Sequence, residues 1–449
     1  MKIERLTEFL RPAPEKEQTI TDEKELNDLY RYWRTRIMYT TIIGYALFYF
    51  VRKNLSVAMP AIEADLGISK VDLGLFLTLH GLLYGVSKFL NGFLGDNTNP
   101  RYFMALGLLM SAVMSILFGL SSGVLAFGII WLLNGWFQGM GFPPCANSIT
   151  NWFSPGERGF KFALWNSSHS IGAGLVLVLN SFLVVYDWRF CFFVPAALAI
   201  LGAFFIFNRL RDKPQSLGLP PVEVYKREIP EESHQDQDLN FKSFVQKKVF
   251  GNPMIWILCL ATFSLYTIRY AMLDWGPTFL TEMKGIELKK AGWLVAAYEA
   301  SGILGMLSSG WMMDHIFKGR GGRAAVIYMT ICTMAVFLFW KLPDESTLLY
   351  GTLLCITGFF IYGPQALVGI IVANLVTKRA AATAIGLTGF FGYLSTILSG
   401  WGIGYIVTHT GWNTAFLTFI GTGVAAILFF ALTWNTGYIP HLDKKANGQ

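Results

Sequence analysis

Windows of about 20 mostly apolar residues recur about twelve times along this chain, separated by short polar breaks. A helix of that length crosses the ~30 Å hydrocarbon layer of a bilayer, where each backbone polar group must bond within its own segment. The pattern predicts an all-α membrane protein with twelve transmembrane helices. Composition agrees: 53% of the 449 residues are hydrophobic, 14% are charged, and mean hydropathy is +0.44. Soluble domains carry about 25% charged residues. An outer-membrane barrel would show alternating segments of ~10 residues, which these long windows do not resemble.

The spans fall at 37–60, 71–94, 102–121, 124–148, 160–186 and 190–208, then at 253–281, 290–312, 324–341, 346–372, 380–407 and 412–434. They divide the chain into an N-terminal segment (1–36), a six-helix bundle (37–208), a linker (209–252), a second six-helix bundle (253–434) and a tail (435–449). The linker carries Pro214, Pro220, Pro221, Pro230 and the run Glu231-Glu232-Ser233-His234-Gln235-Asp236, too polar to span. Arg31, Arg34, Arg36, Arg101, Arg158, Lys161, the linker cations, Lys318, Arg320, Arg323, Lys378, Arg379, Lys444 and Lys445 fall on one side of the spans. Lysine and arginine mark cytoplasmic loops, so both termini and the linker are expected in the cytoplasm. The net charge of +7 then follows from membrane orientation and calls for no nucleic acid. The polar first 30 or so residues predict no cleavable signal peptide.

The two halves echo one another. Gly92-Phe93-Leu94-Gly95-Asp96 followed by Arg101 recurs as Gly310-Trp311-Met312-Met313-Asp314 followed by Arg320 and Arg323. Asp187-Trp188-Arg189-Phe190 returns loosely as Thr410-Gly411-Trp412-Asn413. Such pseudo-symmetric bundles, with a binding site between them, resemble the major facilitator superfamily.

Charge inside the spans is the strongest functional signal. Arg52 and Arg269 stand within apolar windows at matching places, about 217 residues apart. A guanidinium at that depth persists only facing water, a counter-charge or an anion. Two planar forks suit an oxyanion with several acceptors, phosphate above all. The alternatives are that Arg52 snorkels from its helix end and that Arg269 pairs with Asp274 or Glu299. Lys88 would add positive potential or snorkel. His169, beside Trp165 and Asn166, would strengthen anion binding when protonated. Tyr45 and Tyr49 share a helix face with Arg52, and Tyr266 lies one turn before Arg269. Tyr362 and Tyr393 are further phenols able to bond a phosphate or sugar hydroxyl. Asp274 and Glu299 balance these cations or relay protons.

No Gly-rich phosphate loop, His-Glu-x-x-His or serine elbow is present, so no catalysis, cofactor or metal is expected. Cys145, Cys191, Cys259, Cys332 and Cys355 lack paired spacing and read as small apolar core residues.

Tyr49-Phe50-Val51-Arg52-Lys53-Asn54, Tyr84-Gly85-Val86-Ser87-Lys88-Phe89, Arg269-Tyr270-Ala271-Met272-Leu273-Asp274-Trp275 and Tyr362-Gly363-Pro364 resemble the organophosphate:phosphate antiporter family. The similarity runs from about Tyr30 to Trp434. It implies that Arg52 and Arg269 bind the substrate phosphate while Lys88, His169, Tyr266, Tyr362 and Tyr393 line or tune the site. Tyr30-Arg31-Tyr32-Trp33-Arg34 and the segment from Arg209 to Pro220 look most like the hexose-phosphate sensor and transporter branch. One departure matters: Ile385 and Thr388 stand where the enteric hexose-phosphate antiporter has an Asp and a Lys. The resemblance implies exchange of a hexose phosphate, glucose 6-phosphate first, for inorganic phosphate in a bacterial inner membrane. The carrier is expected to act as a monomer. A membrane sensor, a glycerol 3-phosphate carrier and a proton-coupled symporter stay open as alternatives.

Overall fold

The computed structural model describes residues 10–17, 22–96, 98–226, 246–342, 346–376 and 378–435. Pro230, the run from Glu231 to Asp236, Lys444 and Lys445 lie outside the described residues. So do the side chains of Asp96, Arg158, Asp314, Lys378 and Arg379, and with them the echo of the two aspartates.

Described residues form helices and no strands. In chain order they are α1 (Glu23–Phe50), α2 (Asn54–Leu66), α3 (Lys70–Asp96), α4 (Pro100–Leu120), α5 (Val124–Gln138), α6 (Phe142–Trp152), α7 (Pro155–Asn166), α8 (Ser168–Leu183), α9 (Phe190–Arg209) and α10 (Val222–Lys226). The second half gives α11 (Pro253–Lys284), α12 (Leu288–His315), α13 (Gly321–Lys341), α14 (Thr347–Leu375), α15 (Lys378–Leu394), α16 (Ile403–Thr410) and α17 (Trp412–Leu432). Among the described residues, ten helical stretches are long and apolar enough to cross a membrane. The α1–α2 segment and α12, which holds Glu299 midway, cover the other two expected spans but are not among these ten.

Helix starts follow capping chemistry. Asp22 accepts the Lys24 and Glu25 amides at 3.2 and 3.3 Å, and Asn99 and Asn252 cap α4 and α11 ahead of Pro100 and Pro253. The first span departs from the expected continuous helix: it breaks at Val51–Lys53. The freed carbonyls are satisfied from α5, where Gln138 donates to Phe48 O at 3.0 Å and Asn134 to Val51 O at 2.8 Å. Two buried amides on one helix thus hold an irregular backbone at membrane depth.

Two compact units make up the chain. The first comprises Met1–Asn54, Val86–Val176 and Arg189–Gln235. Its core gathers Ile37, Phe48, Met104, Leu108, Ile149, Trp152 and Ile206. Gly172 passes the α1 backbone so closely that a Cβ there would lie 2.3 Å from Ala46 O. The start of the linker is docked rather than free: Trp152 donates to Asp212 O at 2.6 Å, and Tyr225 stacks on Tyr30 at 3.8 Å.

The second unit comprises Leu55–Gly85, Leu177–Trp188 and Asp236–Gln449. Here a first-half segment is bonded to second-half helices. Ser56 donates to the carbonyls of Leu273 and Asp274 at 2.8 and 3.0 Å. Thr78 donates to Thr396 O at 2.7 Å and accepts the Trp401 amide at 2.8 Å. Lys70 bridges Glu63 and Glu282 at 2.7 and 2.9 Å, and the Trp412 indole donates to Glu282 at 2.9 Å.

Candidate anion-binding site

In the first unit the break in the first span sets the position of Arg52. It follows the last turn of α1, where its amide still reaches Tyr49 O at 3.3 Å. Its guanidinium lies over the Tyr49 ring at 5.2 Å, and the residue as a whole is 8% exposed. Tyr49 also meets the His169 ring at 5.7 Å and Tyr45 at 5.7 Å. Tyr45 packs on Trp165 at 4.8 Å, and Phe142 touches both. The Lys88 ammonium sits 3.7 Å above the Phe142 ring. Arg52, Tyr49, His169, Tyr45 and Lys88 therefore form one connected group of cations and aromatic faces. A ring face attracts a cation without neutralising it.

His169 occupies a second irregularity, the step between α7 and α8 at Ser167. Its Nδ1 bonds the Asn166 carbonyl, and its Nε2 lies 3.3 Å from Ser170 Oγ. Asn166 takes part through that main-chain oxygen.

In the second unit Arg269 lies inside an unbroken α11, 4% exposed. Its Nη2 donates to Tyr362 Oη at 3.1 Å, and Tyr362 in turn donates to Glu299. Rings of Tyr362, Tyr270 and Tyr266 flank the guanidinium at 4.6, 5.3 and 5.5 Å. Tyr298 donates to the Arg269 carbonyl at 3.4 Å. Arg269 makes no direct ion pair with Asp274 or Glu299 among the described residues, and its Nε is buried without an acceptor. Arg269 thus reaches Glu299 through the phenol of Tyr362 rather than directly. Asp274 is buried, and its main-chain carbonyl takes the Ser56 hydroxyl. Tyr393 packs edge-on against Tyr84 at 4.9 Å, while neighbouring Gly392 lies against Tyr266.

Sequence reasoning missed Phe142, Trp165, Tyr270 and Tyr298 as members of these groups, and it missed buried Lys53 beside Arg52. Aromatic residues are too abundant here for spacing to single these out. Lys53 was legible only as an adjacent second cation in an apolar window. Each unit therefore presents a desolvated guanidinium held by tyrosines, the chemistry that receives an oxyanion.

The sequence matches the Major Facilitator Superfamily over residues 41–400. It is 39% identical to the probable hexose phosphate transport protein of Chlamydia pneumoniae, covering 96% of this chain and 97% of that one. Identity is also 39% to the glycerol-3-phosphate transporter of Bacillus subtilis, with coverage of 96% and 98%. The membrane sensor protein UhpC of Salmonella typhimurium is 39% identical, with coverage of 93% and 95%. Among solved structures, an inward-facing, unoccupied bacterial homolog of the human lysosomal transporter Spinster has the same fold, with TM-score 0.69, 15% identity and coverage of 90% and 95%. The chain belongs to the major facilitator superfamily, within its organophosphate:phosphate antiporter family.

Proposed function

We propose that this protein is a secondary transporter that exchanges a hexose phosphate, glucose 6-phosphate first, for inorganic phosphate by alternating access. The observation that carries the reading is Arg269: a buried guanidinium held by phenols, with no direct carboxylate partner and an Nε lacking an acceptor. In the proposed cycle Arg52 and Arg269 take opposite sides of one phosphate. Lys88, His169, Tyr45, Tyr49, Asn166, Tyr266, Tyr362 and Tyr393 line the path, and Asp274 and Glu299 balance charge when it is empty. The bundles are 37–208 and 253–434, joined by linker 209–252. Both termini lie in the cytoplasm, and the carrier works as a monomer in a bacterial inner membrane.

Two like charges resist approach and dehydration in an empty carrier. A divalent phosphate offsets both, so the loaded carrier converts between its states and the empty one returns slowly. Relatives named for hexose phosphate and for glycerol 3-phosphate both support an organophosphate substrate. Resemblance to a membrane sensor supports the alternative that the chain reports external hexose phosphate with little flux. Labelled phosphate uptake into proteoliposomes decides: it should require phosphate or sugar phosphate on the far side. Equal uptake into empty vesicles would refute exchange, and saturable binding without flux would favour the sensor.

A further inference from the structure

A groove of about 710 Å³ runs between α1 and the α7 segment within the first unit, away from the Arg52 group. That volume lies within the ~300–1,000 Å³ typical of small-molecule sites. Its walls change character along α1. Arg31, Arg34 and, across the groove, Lys161 line one part; Met38, Tyr39 and Ile42 line the other. Phe153 anchors the cationic part, with the Arg34 guanidinium at 4.8 Å and the Lys161 ammonium at 5.4 Å from its ring. Arg34 spends one nitrogen on Glu157, while its Nε is buried without an acceptor. With Asp28 and Glu157 counted against three cations, the walls keep a net positive charge.

The change in character coincides with the membrane boundary expected from the sequence. The expected first and fifth spans begin at residues 37 and 160, so Arg31 and Arg34 fall at headgroup depth, Lys161 lies at its edge, and Met38 and Ile42 are inside the apolar layer. On the same two helices other apolar side chains are exposed: Ile43 44%, Phe160 70% and Leu164 43%. Acyl chains are what covers such residues in a bilayer. A soluble sugar phosphate would leave that apolar wall unmatched.

We propose that this groove is a site for one anionic phospholipid of the surrounding bilayer. The lipid phosphate lies against the Arg34 guanidinium edge and the Lys161 ammonium, with Arg31 above, and an acyl chain follows Met38, Tyr39 and Ile42. Clusters of basic residues at a membrane boundary attract anionic headgroups in this way.

The test is native mass spectrometry of the purified full-length protein, after incubation with phosphatidylglycerol or with phosphatidylcholine. Wild type is expected to retain one phosphatidylglycerol per chain and to discriminate against phosphatidylcholine. Lys161→Gln should lower retention about fivefold, the contribution of one cation near a headgroup. Ile42→Trp, which fills the apolar part and leaves every cation in place, should lower it as well. Equal retention of both lipids, or no loss in either variant, would overturn the proposal. Displacement of the lipid by millimolar inorganic phosphate or glucose 6-phosphate would assign the groove to a soluble anion and overturn it too.

Discussion

Replacing Glu299 by glutamine removes one charge and keeps the acceptor that Tyr362 needs. Two hydrogen bonds in series, the first 3.1 Å long, separate the Arg269 guanidinium from this carboxylate. Ordinary bond lengths put the charges about 5.5 Å apart, where attraction at an effective dielectric of ~20 is about 3 kcal/mol. Both groups are almost fully buried, so water screens little of it. Glu299→Gln should therefore lower the stability of the unliganded protein by about 2–3 kcal/mol. Phosphate at ~100 times its Kd returns about 2.7 kcal/mol and should restore most of the loss. Denaturant unfolding of purified protein, with and without phosphate, reads both quantities. The variant should also bind phosphate more tightly, because Arg269 has lost its internal compensation. Unchanged stability and affinity, together with uptake that no longer responds to a proton gradient, would refute charge balance and make Glu299 a proton relay.

Three further outcomes follow from particular contacts. Gly74→Ala would set a Cβ 2.5 Å from Gly400 O, a backbone atom, so α3 must shift and the protein should lose more than about 2 kcal/mol in the same unfolding assay. Asn134→Leu leaves the Val51 carbonyl unsatisfied at the break before Arg52; a loss of about 1–3 kcal/mol in stability with weaker phosphate binding is expected, and equilibrium dialysis checks the second part. Burial alone would push the Glu157 carboxyl up, but the hydrogen bond and charge of Arg34 carry it below the ordinary glutamate value of 4.5. The pair's contribution is thus full above that value and is lost as pH falls through the lower folded one, so acid should destabilise wild type more steeply than Glu157→Gln in thermal melts between about pH 5 and 3.

Hydrophobic length made the spans readable. Nearly every long helix begins and ends close to where an apolar window of about 20 residues meets polar chain. Even α12 was legible, although Glu299 makes it less apolar. The irregular backbone was not. Val51–Lys53 holds no glycine or proline, and the break depends on Asn134 and Gln138, more than 80 positions away. Local propensity carries no trace of such donors. For the site, Arg52, Arg269, Lys88 and His169 were visible because ionisable groups are rare in apolar windows. Their partners were not: whether Glu299 meets Arg269 directly or through Tyr362 depends on how α11, α12 and α14 pack. Inclusion of 55–85 in the second unit likewise rests on hydroxyls such as Ser56 and Thr78, which read as ordinary small polar residues.

One binding experiment reaches the central claim, that a single phosphate is shared by two arginines. Labelled phosphate is titrated against purified wild type, Arg52→Lys, Arg269→Lys and the double variant. A lysine supplies charge without the planar fork, so each single change should weaken binding of one phosphate per chain at least tenfold. Because both act on the same ligand, the double variant should bind phosphate no better than the weaker single one. Wild-type affinity in either single variant would mean that the arginines do not hold a common phosphate.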